Sequence, residues 1–290
     1  MFFHIKELQY NAKPERPDPL FAKKLQEVLG GQFGEISVFM QYLFQGWNFR
    51  GEQKYKDMLL DIGTEEIGHV EMLATMIAQL LDGAPANVQE EAAKDPVIEA
   101  VLGGMNPQHV IVSGLGASPT DSVGYPWNSR YIISSGNILA DFRANLNAES
   151  QGRLQVVRLY ESTTDPGVRD LLSFLIARDT MHQNQWMAAI EELEQKEKSP
   201  VVPSTFPREL EIQDVSYKFM SFSKGTESSE GRWAKGPSMD KQGQFEYVEN
   251  PTAMGQVPIL NQAPAYIHNT PVPGQPAPEA EKSHYQPPKG

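Results

Sequence analysis

The sequence predicts an all-α protein: four long helices paired into two hairpins, one long crossover between the hairpins, and an extended proline-rich tail. Three observations lead there. Apolar residues recur at helical spacing through residues 18–82 and 137–198. The pair Asp-Pro occurs at Asp18-Pro19 and again at Asp165-Pro166, an N-cap followed by proline at the first helical position. Of the 22 prolines, 13 lie from Pro200 onward, and a segment so rich in proline cannot hold regular helices.

The first helix is expected from Asp18 to about Arg50. The second runs from about Glu52 to Asp82 and stops at Gly83, with Pro85 beyond it. Residues 84–133 carry Gly, Pro and Asn clusters and read as a long, partly structured connection. The third helix is expected from about Asn137 to Thr164, and the fourth from Asp165 to about Lys198. Two hairpins joined by one long crossover describe a ferritin-like four-helix bundle. No Val/Ile-rich strands alternate with the helices, which disfavours a βα fold. The expected division is therefore 1–198, bundle with an N-terminal arm, and 199–290, tail. The tail keeps Tyr217, Phe219, Phe222, Trp233, Phe245, Tyr247, Tyr266 and Tyr285. That aromatic content favours docking on neighbouring subunits over free solvation, and so an oligomer.

Composition narrows the function classes. The 290 residues include 37 acidic and 25 basic side chains, a net charge of −12. With no Lys/Arg block, this argues against a nucleic-acid partner. No apolar run approaches the roughly 20 residues that span a bilayer. The start, MFFHIKELQY, lacks the layout of a secretory signal, so the expectation is a soluble, cytoplasmic protein. The absence of cysteine excludes disulfides, thiolate metal sites and Cys nucleophiles.

The chemistry concentrates at Glu35, Glu66-x-x-His69, Glu149 and Asp179-x-x-His182. An acid and a His three apart share one helix face and can grip one metal centre. One such match arises by chance among 6 histidines and 37 acids, as Glu281-x-x-His284 in the tail illustrates. Spacing lifts the other two above chance. Glu35 to Glu149 is 114 residues; Glu66 to Asp179 and His69 to His182 are both 113. Each hairpin thus carries an acid on its first helix and acid-x-x-His on its second, an internal repeat of ligands. Dinuclear carboxylate bundles use this arrangement.

Neighbours at helical spacing indicate burial. Glu35 shares a face with Val38, Phe39 and Tyr42, Glu66 and His69 with Leu59, Ile62 and Leu73, and Asp179 and His182 with Leu172, Leu175 and Trp186. Buried, unpaired carboxylates are costly, and few Lys or Arg share these faces, so divalent metal is the economical compensation. Three Glu and two His are the ligands, with Glu66 the candidate bridge. Asp179 is one methylene shorter than Glu and is placed beside the metals as a proton acceptor and donor. Oxygen and imidazole ligands suit Mn or Fe, and softness does not separate them. Tyr42, two turns after Glu35, is expected to hydrogen-bond the Glu35 carboxylate. Gly30, Gly31 and Gly34 inside the first helix suggest a close helix approach.

The chain resembles the manganese catalases, non-haem enzymes that disproportionate hydrogen peroxide. The resemblance runs through MFFHIKELQYNAK, GGQFGEISVFMQYLFQG, LLDIGTEEIGHVEM, NILADFRANLNAESQGR, ARDTMHQNQW and, in the tail, FMSFSKGTESSEGRWAKGPSMD. It implies two Mn per chain held by Glu35, Glu66, His69, Glu149 and His182, with Glu66 bridging. The family position at Asp179 is commonly Glu and acts in proton transfer. Some members carry Arg just before the third-helix Glu; here it is Ala148, so an arginine-gated entrance is not implied. Some bind calcium between protomers: Asp57 and Asp61 match its carboxylates, and Ser221, Ser223 and Gly225 would supply oxygens, with Ser221 where Asn is common. The family usually forms hexamers with the tail wrapped over neighbours. Two rivals remain, a di-iron ferritin-like oxidase or ferroxidase and a catalase-like structural coat or shell protein. The missing fourth Glu at position 179 argues against the first, and intact ligands argue against the second.

Overall fold

Side-chain caps set three of the helix starts. Asp18 accepts from the Phe21 amide at 2.9 Å, Asn137 from Ala140 at 3.0 Å and Asp165 from Val168 at 3.0 Å. In the computed structural model, which describes residues 3–82 and 112–261, these caps open α1 (Pro19–Gly30), α4 (Ile138–Glu161) and α5 (Pro166–Glu197). Between them lie α2 (Glu35–Asn48) and α3 (Gln53–Leu80). The expected Asp18–Arg50 helix is therefore two helices. At the break Gly31 is extended, and a Cβ on Gly30 would lie 2.3 Å from the Thr120 carbonyl oxygen. The close approach that Gly30 permits is thus to the backbone of the crossover, whereas Gly31 and Gly34 lie against Glu27, Val28 and Leu29 of α1. Residues 83–111, in the expected connection, lie outside the described residues.

The bundle pairs α2 with α3 and α4 with α5. Its core has two apolar clusters. One joins Leu25 and Leu29 of α1 to Met72, Leu73 and Met76 of α3 and Leu171 and Leu175 of α5. The other joins Val38 and Tyr42 of α2 to Leu59 and Ile62 of α3, Phe142 of α4 and Trp186 of α5. Along α3 the order is Leu59, Ile62, then Glu66 and His69, then Met72 and Leu73. Along α5 it is Leu171, Leu175, then Asp179 and His182, then Trp186. A polar layer therefore lies between two greasy ones, as the sequence neighbours anticipate. Beside it, α2 and α4 are tied by buried amides: Asn145 Oδ1 accepts from Gln41 at 2.8 Å and Gln45 at 2.9 Å, and the Asn145 amide donates to Gln45 at 2.7 Å. Gln41 also accepts from the Ile133 amide at 2.8 Å, which fastens the end of the crossover.

The chain divides into two compact units between Glu211 and Ile212. In the second, the described residues are not uniformly extended. Lys218–Ser221 (β1), Gly236–Pro237 (β2) and Gln244–Glu249 (β3) form a small sheet in the order β1-β3-β2, parallel in the first pair and antiparallel in the second. Phe219 and Tyr247 pack edge to face at 5.3 Å across it. Tyr217, just before β1, donates at 2.8 Å to Asp240 in the turn that joins β2 and β3. Tyr266 and Tyr285 lie outside the described residues.

Candidate metal centre

Each bundle helix from α2 to α5 sends one or two side chains into the polar layer. Glu35 comes from the first turn of α2, Glu66 and His69 from α3, Glu149 from α4, and Asp179 and His182 from α5; all six are buried. Glu66 is central. Its Oε2 is 2.6 Å from His69 Nδ1 and its Oε1 is 2.7 Å from His182 Nδ1. Glu35 Oε2 lies 3.7 Å from His69 Nδ1, and Glu149 Oε1 lies 3.6 Å from His182 Nδ1. Two triads result, Glu35–Glu66–His69 and Glu66–Glu149–His182, each with its donor atoms within 4.8 Å of one another. Glu66 belongs to both, as expected of a bridge.

The donors fit metal better than they fit one another. Glu66 Oε2, His69 Nδ1 and His182 Nδ1 are fully buried and make no hydrogen bond, despite the 2.6 and 2.7 Å approaches. The atoms are close but not aligned as donor to acceptor; they converge. An unsatisfied buried polar group costs about 1–3 kcal/mol, and several in one place point to a shared cation. Every donor is carboxylate oxygen or imidazole nitrogen, a set suited to manganese or iron.

Electrostatics gives the same picture. Burial, then the charge of Glu66, pushes Glu35 up to about 8. Burial likewise raises Glu149. Burial opposes ionisation of Glu66, but the two imidazoles prevail and hold it well below the usual carboxylate range. Burial also opposes charging the imidazoles, yet the surrounding carboxylates raise His69 well above its ordinary value and His182 to about 12. Protons on imidazole thus do for the bare cluster what divalent cations would do for a loaded one.

Tyr42 does not partner Glu35, as the sequence suggested. Its hydroxyl donates to Glu149 Oε1 at 2.5 Å, because the α2 side chain leans across to α4 rather than along its own helix. Its ring packs on Trp186, with centroids 5.0 Å apart. Asp179 belongs to neither triad. Burial first, then the charges of Glu35, Glu149 and Glu66, raise its carboxyl well above the ordinary value. Asp57 and Asp61 are exposed on successive turns of α3. Ser221 ends β1, its hydroxyl 3.4 Å from the Ser223 carbonyl, and Gly225 has a positive φ of 105°. Glu281 and His284 lie outside the described residues.

Sequence reasoning passed over Glu65. Its Oε2 is 3.1 Å from His182 Nε2 and its Oε1 is 3.7 Å from His69 Nε2. Arg178 donates to it through Nε at 2.6 Å and Nη2 at 3.2 Å, and Gln9 at 2.9 Å. A signal was present: Glu65 precedes His69 by four, Arg178 precedes His182 by four, and the two are 113 residues apart, in the ligand register.

The chain is similar to known proteins. The family described as manganese containing catalase matches residues 1–283. YjqC of Bacillus subtilis is 70% identical over 271 residues, covering 93% of this chain and 98% of that protein. A manganese catalase of Bacillus subtilis is 64% identical over 275 residues, covering 95% of this chain and 100% of that protein. Among solved structures, KatB, a manganese catalase from Anabaena, superposes with a TM-score of 0.68 at 28% identity, covering 87% of this chain and 100% of KatB.

Proposed function

The chain belongs to the manganese-containing catalase family, and we propose that it disproportionates hydrogen peroxide to dioxygen and water at two manganese ions. Glu35 and His69 would hold one ion, Glu149 and His182 the other, and Glu66 would serve both. The observation that carries the reading is the single buried Glu66 shared by two triads, in a chain matched to that family over nearly its whole length.

When bound, the manganese pair supplies two one-electron changes, matching the two electrons each peroxide gives or takes. The chain's residues do the rest. Glu66 fixes the spacing between the two ligand sets. Tyr42 holds Glu149 through its hydroxyl. Asp179, buried beside Glu35, Glu66 and Glu149 and outside both triads, is the group that can lend a proton to a departing peroxide oxygen and recover one from the next peroxide. Trp186, Ile62 and Leu175, all buried, keep bulk water from the layer on either side.

The family resemblance also supports a homohexamer with residues 199–290 on neighbouring subunits, and a calcium ion between protomers. There Asp57 and Asp61 of one protomer would meet oxygens of Ser221, Ser223 and Gly225 of another. The cytoplasm is the proposed location; no described helix is long and apolar enough to cross a membrane.

The test is metal quantification on native protein together with an oxygen assay. Two Mn per chain and one dioxygen per two peroxides are expected. Two Fe with no Mn would transfer the reading to a di-iron oxidase. Full Mn with no oxygen evolved would leave a structural, catalase-like role.

A further inference from the structure

We propose that Glu65 is a positioning residue that holds the metal-facing His182 imidazole in one tautomer, a role resting on the dimanganese reading above. Both histidines turn Nδ1 toward Glu66, at 2.6 and 2.7 Å. An imidazole that offers the Nδ1 lone pair to a cation carries its hydrogen on Nε2. That N–H lies in a buried layer and needs an acceptor. Glu65 faces both distal nitrogens, with one oxygen for each, at 3.1 Å from His182 and 3.7 Å from His69. One carboxylate thus spans two rings whose centroids are 5.9 Å apart and whose planes differ by 24°.

Glu65 is itself held in place. Arg178, one turn before His182 on α5, grips it through two nitrogens. The Gln9 amide donates to it from the N-terminal arm, and the arm lies against α3 where a Cβ on Gly68 would come 3.1 Å from Gln9 Oε1. Arg178 offsets the charge of Glu65, so this fifth carboxyl group adds an acceptor to the layer without adding net charge. The grip is unequal: the His182 bond is within hydrogen-bond length and the His69 contact is outside it. The Glu149–His182 ion therefore depends on Glu65 more than the Glu35–His69 ion does.

The experiment compares full-length parent and Glu65→Gln protein, loaded with Mn(II). Chelator competition gives the affinity of each ion, and electron paramagnetic resonance reports the geometry of the pair. The amide introduced by Glu65→Gln sets a neutral acceptor, or a donor, against His182 Nε2 in place of the anionic oxygen. The expected result is about a 10- to 100-fold weaker hold on the Glu149–His182 ion and an altered pair spectrum. Parent-like affinity and spectrum in Glu65→Gln would overturn the proposal, even if the metal-free melting temperature fell, because Glu65 would then be an interhelix tie. If Glu65→Gln fails to fold, Glu65→Asp keeps the charge against Arg178 and draws both oxygens back by a methylene. It should lose affinity in the same sense, and an unchanged spectrum and affinity there would equally overturn the role. A parent that binds no Mn would sink the manganese reading itself, whatever the variants do.

Discussion

Tyr42→Phe separates one hydrogen bond from everything around it. The substitution removes the hydroxyl 2.5 Å from Glu149 Oε1 and keeps the ring against Trp186. No cavity opens, so core packing is preserved. A hydrogen bond to a charged group contributes about 1.5–3 kcal/mol. At 1.4 kcal/mol per decade this is about a 10- to 100-fold change in affinity. How much appears depends on pH, and the sign follows from Glu149. Burial raises its carboxyl. Below that raised value the metal-free carboxyl is protonated, and an ion must displace the proton and form the anion that Tyr42 supports. Losing the donor then costs its full amount. Above it the carboxylate is already ionised before metal arrives, so the donor is lost from both sides of the equilibrium. The affinity ratio of parent to variant should be largest in mild acid and shrink as pH rises. The ratio cancels the titration of the other ligands, which the two proteins share. The assay is chelator competition with Mn(II) across a pH series. Only the Glu149–His182 ion should respond. A ratio that stays near one at every pH, or that grows toward alkaline pH, would refute the argument.

The shared carboxylate gives the sharpest stoichiometric contrast. Glu66→Ala should retain neither ion, while His69→Ala should lose the pair but spare the ion on Glu149 and His182. Metal analysis decides, and full occupancy in either variant would contradict the ligand assignment. Asp179→Asn should keep both ions and lower turnover by about 10²- to 10⁴-fold, the usual worth of general acid–base catalysis. An unchanged rate in the oxygen assay would remove Asp179 from proton transfer. Gly30→Ala should destabilise the protein by about 1–3 kcal/mol, because its Cβ meets the Thr120 backbone at 2.3 Å, which cannot rotate away. Thermal unfolding of the two proteins reads this directly.

The convergence of Glu35, Glu66, His69, Glu149 and His182 was legible because it depends on local spacing repeated at long range. Acid-x-x-His puts both groups on one face whatever lies opposite, and the 113-residue repeat supplies the second copy. The break between α1 and α2 was not legible. A glycine inside a helix costs only about 1 kcal/mol, so Gly30, Gly31 and Gly34 do not by themselves end one. The structural reason is Thr120, some 90 residues away in the crossover. Tyr42 misled in the same way. Its helix neighbour Glu35 is visible in sequence, whereas its partner Glu149 is reached only across the interface of α2 and α4.

What the repeat leaves unequal matters as much as what it repeats. Position 66 is Glu and its counterpart 179 is Asp. Glu66 reaches both imidazoles, while Asp179 stands in neither triad. Burial and the nearby charges of Glu35, Glu149 and Glu66 raise the Asp179 carboxyl above its ordinary value. Position 65 is Glu and its counterpart 178 is Arg, which meet and offset each other. Tyr42 follows Glu35 by seven, and the matching residue after Glu149 is Val156, buried in the other apolar cluster. One hydroxyl therefore serves the layer, and it serves the α4 carboxylate. A duplicated hairpin would give two equal half-sites. The departures at these three pairs leave one carboxylate shared by both triads, one Glu65–Arg178 ion pair and one tyrosine hydroxyl, where an exact repeat would place like residues at both positions of each pair.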